Sequence, residues 1–331
     1  MPSPVVLVTM VTTVATVLIA CSPGAGGQQS DSPAAKESAT VTAEDLPPIS
    51  SADLRFGLAL PEGPTGKAVS RIAEAAEEAP ATYLMFKDFE QEPPLHELDV
   101  VAARGAQSVI AWEPWTWDAG VEQPEYSLKA ITAGDHDDVL TSWGQALGDW
   151  GKPVTIRFAH EMNGNWYPWG AGVNGNETGD YVDAYRHVHD VVTAAGADNV
   201  SWMWSPNVLA PGAMGLEGFY PGDEYVDVVG VDGYNWGTSK QWSAWQPPQE
   251  IFDATFDQVR TFAPDKPIVV AEVGSIAKGG DQGQWIRDLV AYLDQEPGVE
   301  GFIWLHAKLD VDWRLKGDSL DDLRDALAAR D

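Results

Sequence analysis

Eight short apolar runs, separated by stretches of helical periodicity, constrain this chain more than any other feature. They are Arg55–Leu60, Thr82–Phe86, Ser108–Trp112, Val154–Ala159, Val200–Trp204, Val226–Val231, Ile268–Ala271 and Gly301–Leu305. Val, Ile, Phe and Trp dominate them, as in parallel strands buried on both faces. Between them, residues 283–294 place Ile286, Leu289, Val290 and Leu293 on one helical face. The last stretch starts at Ser319, a good N-cap, and sets Leu320, Leu323 and Leu327 on one side. Strict alternation of strand and helix predicts an α/β parallel sheet, and eight strands close into a (β/α)8 TIM barrel. A doubly wound open sheet is the competing architecture. It requires a Gly-rich phosphate turn after the first strand, and Leu58-Ala59-Leu60-Pro61-Glu62-Gly63 is not one. The barrel is expected over residues 51–331.

The N-terminal region has a different character. Residues 1–20 hold a mostly apolar run broken by threonines and ending Leu18-Ile19-Ala20, directly before Cys21. Such a run reads as an export signal. Leu-Ile-Ala-Cys resembles the bacterial lipobox, after which the cysteine is lipidated and becomes the mature N-terminus. No Lys or Arg precedes the run, a departure from the usual signal. The expected location is the outer face of the cell membrane, as a lipoprotein, or secretion. Residues 21–50, small, polar and Pro-rich, are expected to be a flexible linker.

Charge limits the partners. Fifty acidic against twenty basic side chains give a formal net charge of −30. Phosphate backbones and anionic membrane surfaces need clustered Lys and Arg, so neither is an expected partner. Membrane contact is expected only through the lipid anchor, the chain itself as a monomer. A neutral polymer suits this surface better than a polyanion. Cys21 is the single cysteine, which excludes an intrachain disulfide and a Cys-based zinc site.

In a barrel, strand ends and the loops after them form the active face. Carboxylates and aromatics gather there. Trp112-Glu113-Pro114-Trp115-Thr116-Trp117 follows the third strand and His160-Glu161-Met162-Asn163-Gly164-Asn165-Trp166-Tyr167-Pro168-Trp169 the fourth. Ser205-Pro206-Asn207 follows the fifth, Asp232-Gly233-Tyr234-Asn235-Trp236 the sixth, Glu272-Val273-Gly274 the seventh, and Trp304-Leu305-His306 ends the eighth. Glu161 and Glu272 stand directly after core-strand residues, where a carboxylate is costly without a partner or a task. Glycoside hydrolysis needs such a pair: one protonates the leaving oxygen, the other attacks the anomeric carbon or activates water. Two unrelated salt-bridged glutamates are the structural alternative. Trp115, Trp117, Trp166, Trp169, Trp236 and Trp304 supply flat faces for sugar rings. A zinc-protease helix is excluded because Gly164 stands where its second His belongs, and no GxSxG elbow occurs. No metal or organic cofactor is expected.

The segment RFAHEMNGNWYPWG (Arg157–Gly170) resembles the acid/base region of glycoside hydrolase family 26, whose members include β-mannanases, mixed-linkage glucanases and β-1,3-xylanases. GVDGYNW (Gly230–Trp236) and VVAEVGS (Val269–Ser275) resemble the family's strand-six and strand-seven segments. The resemblance spans roughly residues 53–330. It implies Glu161 as acid/base and Glu272 as nucleophile of a retaining double displacement. It implies that His160 contacts the sugar beside the nucleophile. Tyr234 would hydrogen-bond the nucleophile, with Arg157 near it favouring its ionised form. Trp304 would be a platform under the sugar at the cleavage site, and Trp166 would line the leaving-group side. Glu113 and Trp115 are expected in the cleft. The expected activity is endo-hydrolysis of a neutral β-linked polysaccharide, first among them β-1,4-mannan. A glucanase, a β-1,3-xylanase or a non-catalytic glycan-binding lipoprotein are the alternatives.

Overall fold

The computed structural model describes residues 46–210, 212–213 and 215–330. Residues 1–20, Cys21 and the linker up to residue 45 lie outside the described residues. At residues 46–50 the chain already touches the barrel. Leu46 packs on the core and the Pro48 carbonyl accepts the Ala79 N–H at 3.1 Å.

Eight parallel strands close a barrel in chain order. They are β1 (Arg55–Ala59), β2 (Thr82–Asp88), β3 (Gln107–Glu113), β4 (Val154–Phe158), β5 (Val200–Trp204), β6 (Val228–Asn235), β7 (Ile268–Ser275) and β8 (Val299–Leu305). The helices are α1 (Lys67–Ala76), α2 (Leu95–Ala103), α3 (Leu128–Thr132), α4 (Asp137–Trp150), α5 (Thr178–Ala194), α6 (Pro248–Phe262), α7 (Gln282–Leu293) and α8 (Asp318–Ala328). The expected alternation fails once. Among the described residues, β5 and β6 are joined only through a 3-10 turn at Glu217–Phe219. Pro206, Pro211, Gly212, Gly215, Gly218, Pro221 and Gly222 crowd this connection, and these residues break helices.

Helix boundaries follow local chemistry. The Asp281 side chain accepts the Gln284 N–H at 3.0 Å, which caps α7 and fixes its buried face of Ile286, Leu289, Val290 and Leu293. Burying each of these contributes about 1.5–3 kcal/mol. Ser319 is not the cap of α8: it lies inside the first turn, and its hydroxyl takes the Lys316 N–H at 2.8 Å. Gly317, at φ 52°, occupies the cap position, a backbone region that costs glycine little.

Strand alternation divides the core in two. Ile110, Trp112, Ile156, Phe158, Phe302 and Trp304 belong to the layer shared with the helices. Trp112 stacks on Trp143 of α4, and Phe158 meets Tyr185 of α5. Ala59, Leu84, Val109, Ala111, Met203, Ala271, Ile303 and Leu305 form the barrel interior. In β7 the alternation slips. Val269 to Glu272 spans the same interval as Gly230 to Asp232 in β6, and Val270 to Val273 matches Phe302 to Trp304 in β8. The extra residue is a bulge, and beyond it every side chain changes face. The bulge brings Glu272 to the interior directly after Ala271.

Candidate active site

Arg157 points from β4 into the barrel and is fully buried. A buried guanidinium needs partners. Its Nη1 donates to both Asp232 oxygens at 2.9 Å, and its Nη2 donates to Glu272 Oε1 across the barrel. Ser205 Oγ donates to Asp232 as well, at 3.2 Å. Tyr234 Oη donates to Glu272 Oε2 at 2.5 Å. Both oxygens of Glu272 are therefore fixed, from β4 and from β6.

Glu161 lies beyond β4 in an unusual backbone. Ala159 and Glu161 both adopt left-handed angles, φ 46° and 54°. Each costs a non-glycine residue about 1–2 kcal/mol. Neighbours hold the turn in place: Ala159 N–H donates to Trp112 O at 3.1 Å and Glu161 N–H to Ser205 O at 2.7 Å. Asn163 grips the Asn207 backbone twice, accepting its N–H at 2.9 Å and donating to its carbonyl at 2.8 Å. The Glu161 carboxyl takes Asn207 Nδ2 on Oε1 and Trp166 Nε1 on Oε2, both at 2.6 Å. Burial raises this carboxyl to about 7. The Glu272 charge adds to the rise, and the two hydrogen bonds and Arg157 oppose it.

A second carboxyl is raised at the same mouth. Glu113, at the end of β3, accepts Trp115 Nε1 at 3.0 Å and Trp117 Nε1 at 2.5 Å, and burial lifts it to about 7. His160 Nε2 lies 3.9 Å from Glu113 Oε1 and 3.9 Å from Glu272 Oε1, and 3.1 Å from Tyr167 Oη. Burial, reinforced by the Arg157 charge, holds this imidazole neutral. Burial also pushes Asp232 up, against the pull of Arg157. The mouth thus gathers Glu113, Glu161, Asp232 and Glu272 around one guanidinium. One cation cannot balance four carboxylates, and burial keeps Glu161 and Glu113 partly protonated near neutral pH.

The aromatics divide between rim and support. Trp166 is 42% exposed above Glu161, and Trp115 and Trp236 are half-buried at the mouth. Trp169 is not on the rim. It is fully buried, its Nε1 donates to His160 O at 2.6 Å, and Tyr167 covers its face at 4.4 Å and 8°. Trp304 is not a platform in the mouth either. Strand alternation turns it outward, where it meets Trp285 of α7, and its Nε1 donates to Trp313 O at 2.8 Å. Trp313, from the loop after β8, occupies the interior side. It lies 4.8 Å from Tyr234 and 4.8 Å from Trp236. Asn207, Asp232 and Tyr167 are further site residues beyond the expected set. The first two shared a legible signal with the glutamates, polar residues directly after apolar strands. Trp313 had none, because no periodic pattern covers residues 306–317. Among the described residues, no group of three or more His, Cys, Asp or Glu is arranged to hold a metal ion.

Residues 121–256 match the family model of glycosyl hydrolase family 26. Endoglucanase H of Acetivibrio thermocellus is 35% identical over 240 residues, covering 70% of this chain and 25% of that protein. Mannan endo-1,4-beta-mannosidase A and B of Caldalkalibacillus mannanilyticus is 32% identical over 145 residues, covering 41% of this chain and 25% of that protein. The chain spans about a quarter of the length of these relatives. Among solved structures, the catalytic domain of a Bacillus sp. JAMB-750 GH26 endo-beta-1,4-mannanase superposes with a TM-score of 0.66 at 18% identity, covering 83% of this chain and 86% of that one. At that identity the likeness is one of fold.

Proposed function

We infer, from the glycosyl hydrolase family 26 domain that this chain carries and from the paired carboxylates of its barrel mouth, that it hydrolyses a neutral β-linked polysaccharide with net retention. The observation that carries this reading is the unequal environment of Glu161 and Glu272. Glu272 has both oxygens bound to Arg157 and Tyr234, whereas Glu161 holds a proton up to about 7. Two carboxyls held apart in this way are suited to two roles.

Glu161 gives its proton to the glycosidic oxygen as a Glu272 oxygen bonds the anomeric carbon and the bond to the leaving sugar breaks. Water then attacks that carbon, its proton passes to Glu161, and the ester bond to Glu272 breaks. Arg157 and Tyr234 orient Glu272, and Asp232 anchors Arg157. Asn207 and Trp166 aim Glu161. His160, Glu113, Trp115, Trp236 and Trp313 line the sugar-binding surface, and Trp166 stacks on the leaving-group side.

β-1,4-Mannan is the first substrate to test, supported by the mannosidase relative. A β-glucan is the second reading, favoured by the longer match to a protein named endoglucanase. A glycan-binding protein without activity would have no use for either glutamate. The test is reducing-sugar release from mannan, glucomannan, mixed-linkage β-glucan and β-1,3-xylan by residues 22–331 and by Glu272→Ala. Release from one polymer, lost in the variant, supports the reading and names the substrate. No release from any polymer contradicts it.

Export and lipidation at Cys21 complete the proposal, with the chain acting as a monomer tethered outside the cell. Radiolabelled fatty acid should enter the full-length chain and not Cys21→Ser. Equal labelling of both would refute the anchor.

A further inference from the structure

Among the described residues three large apolar side chains stand out in solvent: Trp166, Trp242 at 64% and Leu309 at 60% exposure. All three lie on loops after strand ends, Trp166 after β4, Trp242 after β6 and Leu309 after β8. Trp166 touches Glu161, but Trp242 takes no part in the chemistry above. A single exposed indole is ordinary. This one ends a line of rings that starts at the nucleophile. Tyr234, bonded to Glu272, meets Trp313 at 4.8 Å; Trp313 meets Trp236 at 4.8 Å and 83°; Trp236 meets Trp242 at 5.5 Å.

The loop presenting Trp242 is held by its own side chains. Ser239 Oγ donates to Trp236 O at 2.7 Å and Ser243 Oγ to Gly237 O at 2.8 Å. Asn235 Oδ1 accepts the Gly237 and Gln246 N–H groups, each at 3.2 Å. Lys240 bonds Asp310 at 2.9 Å, which ties this loop to the one carrying Leu309, and its ammonium lies 5.6 Å from the Trp236 ring centre. A surface ordered before its ligand arrives loses less entropy on binding.

We propose that Trp242, reached from the mouth through Trp236, forms a distal binding site for the pyranose rings of the polymer that is cleaved in the mouth. The inference rests on the hydrolase reading. Indole faces pack against the C–H faces of sugars. Lys240 and Asp310 neutralise each other beside the rings, so the shelf favours an uncharged occupant. Its continuity with Tyr234 and Trp313 makes that occupant the same chain that reaches Glu272. A long chain engages both mouth and shelf, and a substrate of one or two sugars engages the mouth alone.

The test is kcat and KM of the wild type, Trp242→Ala and Trp242→Phe on the polymer and on an aryl glycoside of one or two sugars. Trp242→Ala should raise KM for the polymer about three- to tenfold, with the Phe variant in between, and leave both constants on the short substrate unchanged. An unchanged polymer KM overturns the site. Gel retardation by embedded polymer, in a Glu272→Ala background, separates this inference from the hydrolase reading. If the wild type cleaves nothing, the hydrolase reading fails, yet retardation weakened by Trp242→Ala still supports the shelf. Retardation unaffected by that change, or absent, overturns it.

Discussion

Replacing Asn207 by alanine removes one of the two hydrogen bonds to Glu161 and little else. The grip of Asn163 on this segment uses the Asn207 backbone N–H and carbonyl, which alanine retains. The lost bond, Nδ2 to Oε1 at 2.6 Å, favours the charged carboxylate and opposes the rise to about 7. A hydrogen bond to a charged group is worth about 1.5–3 kcal/mol. The protonated acid keeps part of it and water replaces part, leaving a difference of about 1.4 kcal/mol, or about one pH unit. The sign is upward: without the donor, Glu161 holds its proton to higher pH. In the proposed mechanism Glu161 acts first as an acid, so the basic limb of kcat/KM against pH should move from about 7 toward about 8. The assay is that profile, measured on the polymer for both proteins. A nitrophenyl glycoside, whose leaving group needs no proton, should lack the shift. A basic limb that stays in place, or moves down, would refute the reasoning.

Four other changes discriminate as sharply. Arg157→Met leaves Asp232 and Glu272 buried without their cation, at a cost of about 3–5 kcal/mol near pH 7. Asp232 is already pushed above its unfolded value, so its contribution to stability falls as pH rises. The deficit in urea unfolding should therefore be small near about pH 4 and grow toward neutrality; equal deficits would contradict the pairing. Trp304→Ala should lower stability by about 3–5 kcal/mol and leave polymer KM unchanged in the folded enzyme, whereas Trp313→Ala should impair kcat/KM. A Trp304 variant of unchanged melting temperature and raised KM would restore the platform role. Glu161→Ala should lose polymer cleavage while keeping bond cleavage of nitrophenyl glycosides, visible as a nitrophenol burst. Equal loss on both would remove its acid role.

The barrel was legible because its eight strands are short runs rich in Val, Ile, Phe and Trp, and helices such as α7 carry a clean apolar face. The β5–β6 connection was not, because Pro and Gly there replace the helix that alternation leads one to expect. The two candidate carboxylates were legible from chemistry: a carboxylate directly after a core strand is costly, and Glu161 and Glu272 both stand there. Proximity in sequence does not fix direction in space. Trp304 ends a strand beside the site, but alternation turns its ring toward α7. Trp169 follows Trp166 by three residues, but the turn folds it beneath Tyr167. Glu272 shows the opposite case. Plain alternation after the interior Ala271 would turn it outward, and the β7 bulge returns it to the mouth. Long-range bonds such as Asn207 to Glu161 depend on two loops meeting, which no local pattern encodes.

The most direct test of the account is the anomeric configuration of the first product. Retention requires Glu272 to bond the sugar, with carboxyls about 5–5.5 Å apart, whereas inversion needs about 6.5–9.5 Å for an intervening water. Proton NMR during the first minutes of polymer cleavage reads the anomer before mutarotation erases it. Retention through Glu272 should give the β anomer as the initial product of a β-linked chain. An initial α anomer would show that water attacks directly and that Glu272 is not the nucleophile.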